Sequence, residues 1–326
     1  MSLKQDAPVL GVDIGGTKVA VGLVDPEGKI LKQSRSPMSA NGTAEEGFAA
    51  IATAIDSLLS KDVRSIGICA PGPLDPQSGV ILNPPNVPCW RNFPLAEKIK
   101  ARYSIPARID NDANAAALAE TFWGAAKGFR YVFYATIGTG IGTGIVFDNA
   151  IYHGNTGAAG EGGHVSIDYN GPVCKCGKRG CIEILASGTA IGERARAKLA
   201  ASPTSKSAIL ELVGGDVSAV KTEVVAKAYA AGDMLARELL LETVEFLSVW
   251  LGNIVDLLDP DVIVMGGGVA AMLQPFFDDI KRRMPAWCVN PRASEIPLVM
   301  AYYGADAGIA GGAALCAGNL NSDHLH

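Results

Sequence analysis

Four residues in one short stretch have the makings of a metal site. His164 stands ten residues before Cys174, and Cys176 and Cys181 follow closely. Three thiolates and one imidazole fill the tetrahedral shell of Zn²⁺ and leave no position open for water, so such an ion holds a loop rather than performing chemistry. Gly177 and Gly180 let the chain wrap tightly, and Lys175, Lys178 and Arg179 offset thiolate charge. The other cysteines, Cys69, Cys89, Cys288 and Cys316, are scattered, and the total is seven. An odd number with one tight cluster points to a metal site in a reducing cytoplasm, not to a disulfide framework.

Carboxylates and glycine turns supply a second chemistry. Asp110-Asn111-Asp112 closes a short apolar run and opens an alanine-rich helix. Asp and Asn are ordinary helix N-caps, but a carboxylate at a strand end also suits a general base, and spacing alone leaves Asp110 and Asp112 equally eligible. Glu161 is flanked by glycines, and Glu183 follows a metal ligand by two residues. Acids held this way suit recognition of neighbouring sugar hydroxyls. Gly15, Gly16, Thr17 and Lys18 after Asp13 form a turn whose glycines permit close backbone approach to an anion; Asp13 is placed to orient a Mg²⁺ shell. The order Gly-Thr-Lys before a strand is not a Walker A loop, which ends Gly-Lys-Ser/Thr before a helix. Gly138-Thr139-Gly140 begins a second Gly/Thr turn running to Gly144, and Gly266-Gly267-Gly268 follows an apolar strand and precedes a helix. Gly266, Gly268 and Ala271 fit a loose dinucleotide fingerprint, but no acid closes a second strand about twenty residues on, which argues against NAD.

The elements that must hold these residues repeat. Strands are expected at 9–12, 19–24 and 29–36, as an antiparallel meander, then a helix over 44–59 and strands at 65–70 and 107–109. A helix is expected over 113–126. The theme returns with a strand at 131–137, a turn over 138–144, a return strand at 145–147 and a third at 149–153. A long helix over 235–258 and a strand at 262–265 follow, and 200–216 reads as a surface excursion. Two such units at a period above a hundred residues indicate a duplicated domain, not a solenoid. The chain has 326 residues, room for two lobes, with 48% hydrophobic and 19% charged residues. Its net charge of −5 argues against a nucleic-acid surface. No apolar stretch runs long enough to span a membrane, and no charged-then-apolar leader is visible.

These motifs together resemble those of ROK-family sugar kinases, within the actin/hexokinase/Hsp70 fold group. Asp13-Ile14-Gly15-Gly16-Thr17 is similar to the first phosphate motif, Asn111-Asp112-Ala113-Asn114-Ala115-Ala116 to the catalytic motif, and Gly138-Thr139-Gly140 to the second phosphate motif. Glu161-Gly162-Gly163-His164 with Cys174 through Glu183 resembles the sugar and zinc signature, the most specific of the set. The resemblance implies an α/β fold of two RNase H-like, actin-like ATPase lobes with a cleft between them and a structural zinc loop. The small lobe would be 1–120 plus 305–326, with a final helix near 306–317 returning to it, and the large lobe 121–304. It implies Asp112 as general base, taking the proton of a sugar hydroxyl that attacks the γ-phosphorus of ATP. Asn111, Asp112, Glu161, His164 and Glu183 would hold sugar hydroxyls, with Gly72 and Asn86 close to the sugar. His164 would give one ring nitrogen to zinc and the other to sugar. Mg²⁺ would bridge the ATP phosphates near Asp13.

The implied activity is phosphorylation of a hexose, with glucose first because Asn86-Val87-Pro88-x-Trp90 and the run from Cys181 to Thr189 look glucokinase-like; Cys89 replaces the usual glycine. N-acetylmannosamine, fructose, mannose, allose and N-acetylglucosamine are the other acceptors, and polyphosphate the other donor. Family repressors carry a winged helix before the first phosphate motif, for which the residues before Asp13 leave no room. A sensor that binds sugar without turnover is the reading from a different class. The implied partners are sugar and ATP, with no nucleic acid or membrane, in a cytoplasmic homodimer or homotetramer.

Overall fold

The computed structural model describes residues 7–202 and 206–317. In chain order the elements are β1 (Val9–Ile14), β2 (Lys18–Val24), β3 (Ile30–Pro37), α1 (Ala44–Asp56), β4 (Ile66–Ala70), β5 (Leu74–Asp75), β6 (Val80–Ile81), α2 (Leu95–Tyr103), β7 (Ala107–Asn111) and α3 (Asp112–Phe122). Then come β8 (Tyr131–Ile137), β9 (Ile141–Phe147), β10 (Ala150–Ile151), α4 (Ile182–Ala186), α5 (Gly188–Ala201), α6 (Ala208–Leu212), α7 (Thr222–Ala230) and α8 (Met234–Leu258). The chain closes with β11 (Val262–Gly266), α9 (Gly267–Leu273), α10 (Phe277–Arg283), β12 (Leu298–Met300) and α11 (Ala307–Ala317).

The fold is mixed α/β with two five-stranded sheets, ordered β3-β2-β1-β4-β7 and β10-β9-β8-β11-β12. Each places its first three strands as 3-2-1 and then adds two later ones, which is the duplication the sequence repeat anticipates. In the first sheet β1-β2 and β2-β3 are antiparallel, while β1-β4 and β4-β7 are parallel. The central strands β4 and β11 are buried at every residue, as strands covered on both faces must be. By contacts the described residues divide into two compact units: residues 7–134, 144–160 and 301–317, and residues 135–143 with 161–202 and 206–300. The expected lobe boundary at 120/121 falls inside the first unit, because 144–160 packs on α3: a methyl on Gly144 would meet the Ala113 carbonyl at 2.7 Å. The ends 1–6 and 318–326 of the expected small lobe lie outside the described residues.

Unit 1 has two hydrophobic layers. On one side Leu10, Val12, Ile66 and Ile68 pack with Ile51, Ile55, Leu95, Ile99 and the stacked pair Trp90-Phe93 (ring centroids 5.1 Å apart). Helix α1 is fixed there by a capping box, with Thr43 and Glu46 bonded reciprocally at 3.2 and 2.7 Å. On the other side lies α11, whose sequence AGIAGGAALCA holds only small residues and two larger aliphatics. It comes within backbone contact of the sheet. A methyl on Gly67 would sit 1.7 Å from the Gly312 carbonyl oxygen, and one on Gly11 2.0 Å from that of Ile309.

Several elements differ from expectation. Helix α3 stops at Phe122 rather than Ala126, because buried Glu120 turns its carboxylate onto the Ala125 amide (2.8 Å) and the Tyr303 amide (3.0 Å). The second Gly/Thr turn is shorter than 138–144, since β9 already begins at Ile141. The third strand of that meander shrinks to Ala150–Ile151, preceded by Asp148 and Asn149 at positive φ. The supposed excursion over 200–216 includes helix α6, capped by Ser207 and seated through fully buried Ile209; its residues 203–205 lie outside the described set. Among the described residues no helix is long and apolar enough to cross a membrane.

The close seating of α11 makes a quantitative demand. Gly67→Ala is expected to cost about 3 kcal/mol, the upper end of overpacking penalties, lowering the urea midpoint without changing its slope. Gly192→Ala within α5, where the methyl meets neighbours only at 3.5 Å, should instead stabilise by about 0.5–1 kcal/mol through helix propensity.

Candidate functional site

In unit 1 the parallel strands β1, β4 and β7 bring three loops to their carboxyl ends, where open α/β sheets bind ligands. Those ends carry Asp13 with the turn Gly15-Gly16-Thr17, then Gly72, then Asn111 and Asp112. Asp13 is in register with Cys69, and Cys69 with Asp110, so the three form one row across the sheet.

The row separates the two acids that spacing left equivalent. Asp110 is buried, at 3% exposure. Its Oδ1 accepts from the Asn111 amide (2.7 Å) and from Asn114 Nδ2 (3.1 Å), and its Oδ2 pairs with His153 Nε2 at 2.7 Å. Both oxygens are engaged within the protein, whereas a general base must reach a substrate proton. Asp112 is exposed at the first position of α3, with Oδ1 accepting from the Ala113 amide at 2.8 Å. Asn111 does what an N-cap does: its Oδ1 accepts from the Ala113 amide at 2.9 Å. Its Nδ2 points at the Gly72 backbone, 3.4 Å from where a methyl there would stand. His153 was not among the sequence candidates. A lone histidine in a glycine-rich loop carries no spacing signal, and only the fold brings it to Asp110.

Asp13 is the perturbed acid. Burial, then the charge of Asp112, raise its pKa to about 6, while Lys18 and Arg35 partly oppose the shift. Behind it Gly308 presses so close that a methyl would lie 2.3 Å from the Asp13 carboxyl carbon. The adjoining turn is closed by the Gly15 amide donating to the Lys18 carbonyl at 2.9 Å. Lys18 itself is exposed at the start of β2. Gly16 lies flat against the next loop: a methyl would meet the Asn86 carbonyl oxygen at 2.7 Å, which brings Asn86 to the first turn through its backbone. Gly16, Thr17, residues 38–42 and Glu46 line an open groove of about 500 Å³.

In unit 2 the second turn is clamped from outside. The Gly138 amide donates to the Gly140 carbonyl (2.9 Å), the Gly188 amide to the Gly138 carbonyl (2.8 Å), and Thr189 Oγ1 to the Thr139 carbonyl (2.8 Å). The start of α5 therefore holds two of the turn's carbonyls. Glu183 Oε2 accepts from the Ile141 amide at 2.9 Å, so this acid lies against the same turn. Gly267 opens α9 at φ +87° with its Cα over the end of β8; a methyl there would meet the Ile137 carbonyl oxygen at 2.3 Å. Glu161 is exposed before the short turn Gly162–His164. That turn is pinned by Thr143 Oγ1 accepting from the Gly162 amide (2.8 Å) and by Trp250 Nε1 donating to the Gly162 carbonyl (3.1 Å).

The four expected metal ligands converge. His164 Nδ1 lies 3.7 Å from Cys174 Sγ, and Cys176 Sγ 3.6 Å from Cys181 Sγ. All four ligand atoms fall within 4.8 Å of one another. A Zn–S bond of about 2.3 Å gives a tetrahedron edge of about 3.8 Å, and a disulfide would need about 2.0 Å. The cluster is therefore compatible with zinc. Burial, then hydrogen bonding with Cys176 and Cys174, push the Cys181 thiol up to about 12; a bound cation reverses that penalty by holding thiolates outright. The loop is a miniature hairpin, bridged at Val173-Arg179 and Ser166-Cys181, with the Cys174 amide donating to the Lys178 carbonyl at 2.7 Å. Cys181 stands immediately before α4, whose second residue is Glu183.

Residues 9–319 match the model of the ROK family. The glucokinase of Streptomyces coelicolor is 34% identical over 308 residues, covering 94% of this chain and 96% of that one. The N-acetylmannosamine kinase of Escherichia fergusonii is 31% identical over 309 residues, covering 95% and 98%. A ROK family glucokinase from Streptomyces griseus, solved in complex with glucose and AMPPNP, superposes with a TM-score of 0.79 at 34% identity, covering 94% of this chain and 98% of that one.

The strain on Asp13 has a stability signature. With its pKa raised from 3.8 to about 6, the folded chain holds a proton that the unfolded chain has lost, so stability falls as pH climbs between those values and stays lost above them. Asp13→Asn is expected to gain about 1–2 kcal/mol at pH 8, once solvent screening trims the shift. Urea unfolding of both proteins at pH 4 and pH 8 checks this: the gap should be present at pH 8 and close at pH 4.

Proposed function

The chain belongs to the ROK family and is an ATP-dependent sugar kinase; on that premise we propose that it phosphorylates glucose to glucose 6-phosphate with Asp112 as general base. The observation that carries the assignment of the base is the contrast at the end of β7: Asp110 is buried and engaged on both oxygens, while Asp112 is exposed two residues further on, at the start of α3. Asp112 accepts the proton of the attacking hydroxyl as a new O–P bond forms to the γ-phosphorus and the bond from that phosphorus to the bridging oxygen of ADP breaks. Proton abstraction of this kind contributes about 10²- to 10⁴-fold; the remainder comes from alignment and charge neutralisation.

Asn111, Glu161, His164 and Glu183 hold sugar hydroxyls, and Gly72 and Asn86 approach the sugar through their backbones. Asn111 meets this role with its amide nitrogen, since its oxygen caps α3. The phosphates of ATP are held by the turns Gly15-Gly16-Thr17-Lys18 and Gly138-Thr139-Gly140, with the nucleotide against Gly266-Gly267-Gly268. Mg²⁺, when bound, neutralises phosphate charge; Asp13 would hold its shell, and the mutual repulsion of Asp13 and Asp112 is what a cation relieves. Zn²⁺, when bound by His164, Cys174, Cys176 and Cys181, orders the loop. With Nδ1 turned to Cys174, His164 keeps Nε2 for the sugar, and α4 carries Glu183 from the same loop. N-acetylmannosamine is the second acceptor to test, favoured by the relative that matches over 98% of its own length.

ADP release from Mg·ATP with glucose, mannose, fructose, N-acetylmannosamine and N-acetylglucosamine tests the acceptor. Glucose is expected to give the highest kcat/KM; a higher value for N-acetylmannosamine would replace it. Sugar binding by calorimetry without turnover of any sugar would make the protein a sensor. Asp112→Asn should keep sugar affinity and lose about 10³-fold in kcat, and near-wild-type turnover would remove Asp112 as base.

Metal analysis should find about one zinc per chain, as a four-ligand site requires. Cys176→Ser should lose that zinc and weaken sugar binding with it. Full sugar affinity in zinc-free protein would break the link between loop and substrate.

A further inference from the structure

The pairing of His153 with Asp110 has no part in the chemistry described so far, yet it sits directly behind it. We propose that His153 is a positioning residue that acts through Asp110 to fix the Asn111–Asp112 turn from which the base works, an inference that rests on Asp112 being that base.

The geometry is a three-point tie. One carboxylate, buried at 3% exposure, holds the Asn111 amide at 2.7 Å and the Asn114 side chain at 3.1 Å through Oδ1, and His153 Nε2 at 2.7 Å through Oδ2. Asp112 lies in sequence between the first two tied points, so its backbone is held on both sides by one side chain. The third tie decides whether that side chain can turn. Without His153, the Oδ2 side of a buried carboxylate loses its partner, and rotation of Asp110 toward another donor would release Asn111 and Asn114 together. The histidine is well anchored for the task. Its carbonyl accepts from the Ala159 amide at 3.0 Å, and the preceding residue, Tyr152, donates its amide to the Ile145 carbonyl at 2.8 Å. The pair is also charge-assisted, because the bond to Asp110 raises the histidine's pKa above its ordinary value. Displacement of a catalytic group by about 1 Å costs on the order of 10²-fold in rate, so a tie of this kind is expressed in kcat. Sugar affinity draws mainly on Glu161, His164 and Glu183, with Asn111 the one sugar contact on this turn besides Asp112, so it should change far less than kcat.

His153→Leu and His153→Gln test the inference. The leucine removes the donor; the glutamine supplies an N–H of similar reach. With the best acceptor sugar, His153→Leu is expected to lose about 10- to 100-fold in kcat while the sugar KM stays within about twofold, and His153→Gln should recover most of the loss. In ¹⁵N-labelled protein, hydrogen exchange at the Asn111 and Ala113 amides should quicken in His153→Leu and return toward wild type in His153→Gln. Wild-type kcat in the leucine variant, a loss that glutamine does not recover, or a rise in sugar KM at unchanged kcat would each overturn the proposal. Wild-type protein that turns over no sugar would sink the kinase reading instead, and the exchange measurement would still decide whether His153 holds the turn.

Discussion

The contact on which the first unit depends is backbone against backbone, where glycines bring α11 down onto β1 and β4. Helices usually stand 8–10 Å off their neighbours because side chains intervene. Here glycines on both partners remove that spacer: a methyl at Gly67 or Gly11 would fall within 2.0 Å of a helix carbonyl oxygen. The consequence reaches the candidate site directly. The start of the same helix brings Gly308 against Asp13 and offers its carbonyl to the Cys69 thiol at 2.9 Å. Asp13 and Cys69 in the row across β1 and β4 are thus backed by peptide rather than by apolar side chains. That arrangement leaves Asp13 little freedom to move away from Asp112.

A fixed pair of acids is unfavourable alone and useful with a cation. Burial and the neighbouring charge raise the Asp13 pKa to about 6, which the folded chain tolerates because the remaining core is deep, with Leu10, Val12, Ile66 and Ile68 inaccessible beneath the row. Proteins carry strain of this kind where function needs it. The Cys/His loop follows the same logic in the other unit. Burial and the neighbouring thiols raise the Cys181 pKa, and an ion that relieved that penalty would also fix Cys181, hence the start of α4, hence Glu183 on the Ile141 amide.

Much of this was legible in the sequence. The repeated strand, Gly/Thr turn, strand unit corresponds to two sheets of the same strand order, because period-two apolar runs and glycine turns are local signals. The cysteine spacing anticipated the cluster for the same reason. What could not be read depends on tertiary contact. The end of α3 is decided by Glu120 reaching Ala125 and Tyr303, and the short second turn by Gly138 closing on Gly140 and Glu183 holding the Ile141 amide. Glu183 looked like a residue for sugar alone; one of its oxygens is committed to the second turn, a double duty that spacing cannot reveal.

The choice between Asp110 and Asp112 shows most plainly where sequence reading stops. Both flank Asn111, both follow the same strand, and each satisfies the composition of a helix start. Alternation along a strand puts residues two apart on one face, so the pattern even predicts that they share an environment. The chain breaks that symmetry by ending β7 at Asn111 and starting α3 at Asp112. The change of backbone direction sends one carboxylate inward to Asn114 and His153 and leaves the next exposed. A residue more than forty positions away therefore helps to decide which acid is drawn into the interior. The two acids thus differ in place although the sequence treats them alike: the buried one ties the turn through Asn111, Asn114 and His153, and the next stands exposed at the start of α3.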